Sequence, residues 1–196
     1  PLYNVDVFYT CDWTTVKPAV GNIPMKVACY DLEMCPLQGS NFPMADKDPI
    51  VQIGVSYRWS DDMMTPTSKK VFVLGSCDSS TEPDTEFVEC KTEADMLLKF
   101  AANVRRENPD IMSGYNTFGF DDAYIEDRCT RLGIADDVNL SRAPPAKSRD
   151  ANGNYSTKFS ETKRFELASG KYDLRFMTLR GRLGLDLLLN MRREHS

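Results

Sequence analysis

The sequence predicts an α/β fold in which helices flank a mixed β-sheet. Three segments, residues 25–34, 49–59 and 69–75, combine apolar and β-branched residues with the alternation typical of strands. Residues 92–106 place apolar side chains at helical spacing, and a short strand is predicted at 110–114, after a proline. Because consecutive strands usually lie side by side, the first three segments favour an antiparallel meander with the helix packed against it.

Specific residues mark the ends of the predicted helices. Thr92 and Asp95 have the spacing of an N-terminal capping box, and Pro109 follows the end of this first helix. A second helix is predicted to begin near residue 121, after a glycine turn, and to continue to about Leu132. The acidic stretch at 76–91 is predicted to be a loop.

The length of 196 residues suits one domain with a short extra arm. Residues 1–24 are predicted to form an extended lead-in arm, and residues 25–196 the main domain. The six cysteines include no Cys-x-x-Cys pair, which argues against zinc and favours a reducing intracellular setting. No apolar run approaches the length of a membrane span, and the N-terminal residues lack the pattern of a signal peptide.

Charge is distributed unevenly along the chain. The net charge of −5 argues against a protein that coats nucleic acid generally. Residues 1–100 carry 8 basic and 15 acidic side chains, whereas residues 141–196 carry 12 basic and 6 acidic ones. The basic surface is therefore concentrated in the C-terminal quarter, where it is either a nucleic-acid contact or a solvated face.

Two carboxylates stand two residues apart at the end of the first predicted strand. Asp31 and Glu33 leave the same face of that strand about 7 Å apart, while Leu32 points into the core. Like charges this close need a counter-ion, and the single histidine, His195, is far away in the sequence. A hard divalent cation such as Mg²⁺ or Mn²⁺ is the natural partner for oxygen ligands. The alternative is a solvated strand end.

A second group of candidate residues surrounds the start of the second helix. Asp121 lies in its first turn, from which it can reach a metal held by the first strand. Asp122 competes for that role, with a capping or solvent-exposed carboxylate as its alternative. Asn116 can donate and accept hydrogen bonds, and Phe118 and Phe120 offer either base-stacking surfaces or core packing.

Three separated blocks of this sequence resemble one known family. Tyr-Asp-Leu-Glu at residues 30–33, with residues 42–54, is similar to the first exonuclease motif and the following strand of the proofreading 3′ to 5′ exonuclease domain of family B DNA polymerases. Residues 108–121 are similar to the second motif, and residues 181–188 to the segment before the third. The likeness is greatest to delta-type and large-DNA-virus enzymes. It implies a ribonuclease-H-like mixed sheet with flanking helices.

The resemblance also implies a mechanism and a set of residues. The family uses two divalent cations, Mg²⁺ or Mn²⁺, to hydrolyse the 3′-terminal phosphodiester of DNA. By motif, Asp31, Glu33 and Asp121 match the catalytic metal ligands. Asn116 and Phe120 match positions expected to hold the terminal nucleotide. The implied partners are a single-stranded 3′ primer end and the remainder of a polymerase chain, in the nucleus or a viral replication compartment and without a membrane.

Residues 148–181 fall where the family carries a β-hairpin that helps to move the primer end between the two active sites. A hairpin insertion is therefore expected here. The basic residues of this region and its end are expected to suit phosphate contact: Lys163, Arg164, Lys171, Arg175, Arg180 and Arg182.

The sequence departs from the family pattern at its C-terminal end. The third motif, Tyr-x-x-x-Asp, is absent after residue 188, and Asp186 fits better as the N-cap of a final helix than as a fourth ligand. The chain is therefore interpreted as part of a larger polymerase, weak or inactive as a nuclease alone. The alternative is a folded, non-catalytic scaffold or DNA-contacting module, and a weaker one is a free-standing RNA nuclease.

Overall fold

A six-stranded mixed sheet organises the structure, which is a computed structural model describing residues 9–36, 42–78, 82, 84–143, 147–149, 155–157, 160–167 and 170–194. The strands are β1 (Lys26–Met34), β2 (Ile50–Trp59), β3 (Ser68–Leu74), β4 (Glu86–Cys90), β5 (Ile111–Gly114), β6 (Lys147–Arg149), β7 (Tyr155–Thr157), β8 (Ser160–Leu167), β9 (Gly170–Met177) and β10 (Leu183–Asp186). The helices are α1 (Glu93–Glu107), α2 (Asp121–Arg131) and α3 (Leu187–Glu194), with a 3-10 turn at Trp13–Thr15.

The order of strands across the large sheet is β10, β5, β1, β2, β3, β4. β2 is antiparallel to both β1 and β3, so the predicted meander is confirmed. β5 runs parallel to β1 on one side and to β10 on the other. Apart from β4, this is the strand arrangement of ribonuclease-H-like nucleases, which confirms the predicted fold class.

Alternation along β1 determines which face of the sheet is buried. Tyr30 and Leu32 are each 5% exposed and pack in the core, whereas Asp31 and Glu33 lie exposed on the opposite face. Helices α1 and α2 cover the buried face. α1 begins as predicted, because the Thr92 side chain accepts a hydrogen bond from the Asp95 backbone at 3.1 Å. Its fully buried apolar residues are Met96, Leu97, Phe100, Ala101 and Val104.

The predicted loop at 76–91 is wrong over its last third, because residues 86–90 form β4. This strand pairs in parallel with β3 at the edge of the sheet. Only Cys90 is buried in β4, and two glutamates flank its apolar pair, Phe87 and Val88. The local pattern is too short and too acidic to indicate a strand, and it is the pairing with β3 that stabilises the strand.

The expected hairpin region contains two antiparallel strand pairs, β6 with β7 and β8 with β9. The second pair packs against α2. The Arg175 side chain donates to Asp127 Oδ1 at 2.7 Å and also pairs with the Glu126 carboxylate. The Arg175 backbone donates to Phe118 O at 3.0 Å. The base of this hairpin is thus attached both to α2 and to the loop that precedes it.

The described part of the lead-in arm, residues 9–25, leaves its large apolar side chains exposed, including Trp13 and Ile23. Residues 1–8 of the predicted arm lie outside the described residues. Within the ranges that the structure describes, no helix combines the length and the apolar character needed to cross a bilayer.

Candidate active site

Asp31 and Glu33 project from the middle of the sheet, since β1 has β2 on one side and β5 on the other. Asp31 lies opposite Gly54 of β2, where a Cβ would meet nothing within 4 Å. This open face forms a groove of about 640 Å³. The groove is therefore large enough for a small ligand and has a carboxylate in its wall. Its lining also includes Cys29, Ser56, Lys69, Val71, Gly114, Tyr115 and Leu187.

Asp121 is the first residue of α2 and is 4% exposed. Burial and, after it, the negative charge of Asp31 together raise the pKa of its carboxyl group to about 7. A hydrogen bond from the Leu32 backbone opposes that rise. The structure therefore brings Asp121 to the end of β1, close enough to Asp31 for the two carboxylates to repel each other.

The candidate ligands Asp31, Glu33 and Asp121 all offer carboxylate oxygens. Among the described residues, no three His, Cys, Asp or Glu side chains come close enough together to form a metal-binding group. The approach of Asp121 to Asp31 is nevertheless one that a divalent cation would relieve, because it would neutralise the repulsion that raises the pKa of Asp121. Oxygen-only ligands suit Mg²⁺ or Mn²⁺ and not a soft metal.

Asp122 is neither a solvent-exposed nor a capping carboxylate, so that sequence-based alternative is wrong. It is 1% exposed. Its Oδ1 accepts a hydrogen bond from the Tyr30 hydroxyl, and its Oδ2 accepts one from the Met177 backbone at 2.9 Å. Burial raises the pKa of Asp122 to about 6, while these two hydrogen bonds act to lower it. The local sequence concealed this role because Tyr30 lies 92 residues away.

The loop between β5 and α2 carries the two candidate nucleotide-binding residues. Asn116 has a φ of +62° in the left-handed region, and its backbone oxygen accepts from Gly119 N at 3.0 Å. A Cβ at Gly119 would collide with Asn116 Oδ1, so a larger residue there would displace the Asn116 side chain. Phe120 is partly buried, with its ring centroid 5.3 Å from that of Phe42 and 5.4 Å from that of Tyr124.

Phe118 is also partly buried, and its ring lies 5.1 Å from that of Phe176 on β9. The two phenylalanines therefore both pack against protein and retain some accessible surface.

Asp186 holds the same loop from the other side. Its carboxylate accepts hydrogen bonds from the backbones of Asn116 and Phe118, each at 3.0 Å. It also accepts from Leu188 N at 2.8 Å, in the first turn of α3, which confirms the predicted N-cap. The contact with the loop was not predictable from the local pattern, because Asp186 and Asn116 are 70 residues apart.

A model of the DNA polymerase family B exonuclease domain matches residues 3–195 of this chain. The chain belongs to this family. It is 36% identical over 136 residues to the DNA polymerase of Acanthamoeba polyphaga mimivirus, covering 66% of this chain and 8% of that protein. It is 28% identical over 173 residues to the DNA polymerase delta catalytic subunit of Candida albicans, covering 88% of this chain and 15% of that protein.

A solved structure of the family B DNA polymerase from the hyperthermophilic archaeon Pyrobaculum calidifontis matches 87% of this chain and 16% of that chain, at 22% identity and a TM-score of 0.48. The present chain spans only a small part of the curated relatives it matches, 8% of the mimivirus protein and 15% of the Candida albicans protein. Exonuclease domains of the family depend on metal ions in general. The oxygen-only donor set at β1 and α2 is of the kind that such ions prefer.

The basic residues of the exonuclease domain's hairpin region differ in accessibility. Arg182 is buried and donates to Leu140 O at 2.7 Å, so the expectation of phosphate contact is wrong for this residue. Arg175 is engaged by Glu126 and Asp127. The remaining four, which are all exposed, are Lys163, Arg164, Lys171 and Arg180.

Proposed function

We propose that this chain is the 3′ to 5′ proofreading exonuclease part of a replicative family B DNA polymerase. The observation that carries the proposal is the approach of buried Asp121 to Asp31 beside an open groove, in a chain of this family. The substrate is the 3′-terminal phosphodiester of a single-stranded primer end.

In this proposal Asp31, Glu33 and Asp121 are the catalytic metal ligands. Asp31 and Glu33 present their carboxylates from the exposed face of β1, and Asp121 presents its own from the first turn of α2. These side chains would hold two Mg²⁺ or Mn²⁺ ions, which would supply an activated water and stabilisation of charge on the leaving 3′ oxygen. The contribution of the three side chains is to fix the positions of positive charge, since they themselves undergo no covalent change.

Asn116 and Phe120 hold the terminal nucleotide in this proposal. The side-chain amide of Asn116 can both donate to and accept from a base or sugar. The partly accessible ring of Phe120 offers a surface on which a base can stack. Their loop is supported by Asp186 and by the backbone of Arg175, so the nucleotide would meet a pre-formed surface.

The remaining partners follow from the same proposal. The rest of the polymerase chain would extend the primer, and exposed cations of the hairpin region would contact phosphates. The relatives include a eukaryotic delta catalytic subunit and a large-virus polymerase, which supports the nucleus or a viral replication compartment as the location. No membrane association is part of the proposal.

One observation favours a second candidate function, that of a non-catalytic scaffold or DNA-contacting module. Within the described ranges, the candidate acids do not form a three-ligand metal group. If they never assemble one, the domain would still present its groove and its basic hairpin region to DNA without cutting it.

The test is a primer-shortening assay on the polymerase that contains this region, with Mn²⁺ and single-stranded DNA labelled at its 5′ end. We expect Asp31→Ala combined with Glu33→Ala to abolish removal of 3′ nucleotides while nucleotide addition continues, because the two reactions use separate ions. The matched control, Asp61→Ala with Asp78→Ala, removes two exposed carboxylates outside the site and should retain excision.

Each outcome of this assay separates the candidates. Excision that persists in the Asp31 and Glu33 double variant would show that the site assignment is wrong. A folded, polymerising protein that removes no 3′ nucleotides even before mutation would instead establish the scaffold function.

A further inference from the structure

Two buried residues that adjoin the candidate ligands in sequence are hydrogen-bonded to each other. Tyr30 precedes Asp31 on β1, and Asp122 follows Asp121 on α2. The Tyr30 hydroxyl donates to Asp122 Oδ1 within the core, where the two residues are 5% and 1% exposed. Because side chains alternate along a strand, this bond lies beneath the sheet while Asp31 faces the groove above it.

The Tyr30 end of this bond is held firmly. Its backbone pairs with Val55 of β2, and its ring centroid lies 6.0 Å from that of Phe100. On the other side of β1, a Cβ at Gly114 of β5 would lie 2.7 Å from Tyr30 O, so the two strands pack too closely there for any side chain. The hydroxyl therefore projects from a strand that cannot readily shift or rotate.

The Asp122 end fixes the first turn of α2. Its Oδ2 accepts from the Met177 backbone at 2.9 Å, and its own backbone donates to Thr117 O at 3.0 Å. One carboxylate thus joins β1, the start of α2 and the end of β9. α2 has no side-chain cap at Phe120, so these bonds supply an anchor that its N-terminus otherwise lacks.

We propose that the Tyr30 hydroxyl and the Asp122 carboxylate are positioning residues, which set the direction of Asp121 relative to Asp31. Both groups lie in the core, and both act through the residue next to them in sequence. The inference rests on the proposed function, since it concerns the geometry of the same candidate ligands. It assigns a role to the one acid of α2's first turn that the proposed mechanism does not use.

The decisive variant is Tyr30→Phe, made in the polymerase that contains this region. It removes only the hydroxyl, so the packing against Phe100 is retained. We expect the kcat of excision to fall about tenfold, because a small movement of Asp121 relative to Asp31 slows the chemical step. The KM for primer should stay unchanged within about twofold. Nucleotide addition should be unaffected.

The chain supplies a matched control in Tyr57→Phe. Tyr57 is also fully buried in the same sheet, and its hydroxyl donates to Asn103 Oδ1 at 2.8 Å, remote from the candidate ligands. We expect this variant to lower the melting temperature as much as Tyr30→Phe does, with excision within about twofold of the parent. Equal excision in the two variants would reduce the Tyr30 bond to a structural contact and overturn the inference.

A second pair of variants tests the hydrogen bond independently of tyrosine. Asp122→Asn keeps an oxygen acceptor for Met177 N and gains an amide that can donate to the Tyr30 oxygen, so excision should stay within about threefold. Asp122→Ala keeps neither, and excision should fall at least as far as in Tyr30→Phe. An Asn variant as impaired as the Ala variant would overturn the inference.

Metal binding gives a readout that does not depend on turnover. The number of Mn²⁺ ions bound at equilibrium, counted by electron paramagnetic resonance, should fall in Asp31→Ala with Glu33→Ala. In Tyr30→Phe the same ions should bind more weakly, and in Tyr57→Phe they should bind as in the parent. Excision that survives the loss of Asp31 and Glu33 would overturn the proposed function, whereas normal metal binding and excision in Tyr30→Phe alone would overturn only this inference.

Discussion

The two faces of the central sheet differ in what their side chains contact. On the face beneath α1 and α2, Phe72 and Tyr57 pack with α1 in a continuous apolar core. On the other face, Asp31 and Ser56 border an open groove. Because β1 sends alternate residues to the two faces, Tyr30 and Asp31 belong to different environments although they are neighbours. Substitutions at neighbouring residues of β1 can therefore alter the stability of the fold and the chemistry of the groove separately.

The largest effect on stability should come from the helix-covered face. Phe100 is fully buried, and its ring centroid lies 6.0 Å from those of both Tyr30 and Phe72. We expect Phe100→Ala to lower the free energy of unfolding by about 4 kcal/mol, through lost burial and a residual cavity. Denaturant unfolding measures this change. Leu187→Ala, at the groove, should cost less than about 1 kcal/mol, and an equal loss would erase the contrast between the faces.

A somewhat smaller effect is expected at the ion pair between α1 and α2. Arg128 donates through Nε to Glu93 Oε1 at 2.8 Å, and both side chains are nearly fully buried. Glu93 also accepts from Ile50 N at 2.9 Å. Arg128→Met leaves this carboxylate buried without its cation, so the free energy of unfolding should fall by about 3 kcal/mol.

A double variant tests whether the loss of stability comes from the unpaired carboxylate. Arg128→Met combined with Glu93→Leu removes both charges and should recover part of the stability in the same unfolding measurement. If the double variant lost as much free energy of unfolding as the two single variants together, or more, the ion pair would not be the origin of the effect.

On the groove face, a substitution should change chemistry and leave stability almost unaltered. We expect Asp31→Asn to shift the free energy of unfolding by less than about 0.5 kcal/mol, because the side chain is exposed. The same variant should lose 3′ excision in the primer-shortening assay. A destabilisation comparable to that of Phe100→Ala would mean that this face contributes to the core after all.

The smallest perturbation is chemical labelling of thiols. Burial raises the pKa of Cys129 to about 12, so at pH 8 this thiol, on the buried side of α2, stays protonated and unreactive. Cys11 and Cys35 are exposed. We expect iodoacetamide to modify Cys11 and Cys35 in the folded protein and Cys129 only after unfolding, as read by mass spectrometry. Early modification of Cys129 would show that the covered face opens readily.

The features that sequence reasoning predicted depend on near neighbours along the chain. The alternation around Asp31 and the Thr92 cap are both visible within a few residues, and the structure confirms both. The roles of Asp122 and Arg182 were not predictable, because each depends on partners far away in sequence. A carboxylate beside another carboxylate gives no local sign of which one faces a tyrosine in the core and which one faces the first strand.

The parallel pairing of β5 with β1 and β10 has a consequence for the order in which the protein folds. β1, β2 and β3 are joined by residues 35–49 and 60–67, so their antiparallel pairing closes much shorter loops than the pairing of β1 with β5 does. In contrast, Lys26 N and Asp110 Oδ2, which meet at 2.8 Å where β1 and β5 begin, are 84 residues apart. Contacts between such distant segments form slowly. The meander should therefore assemble first, and the part that joins Asp121 to Asp31 should be the last to become ordered after synthesis.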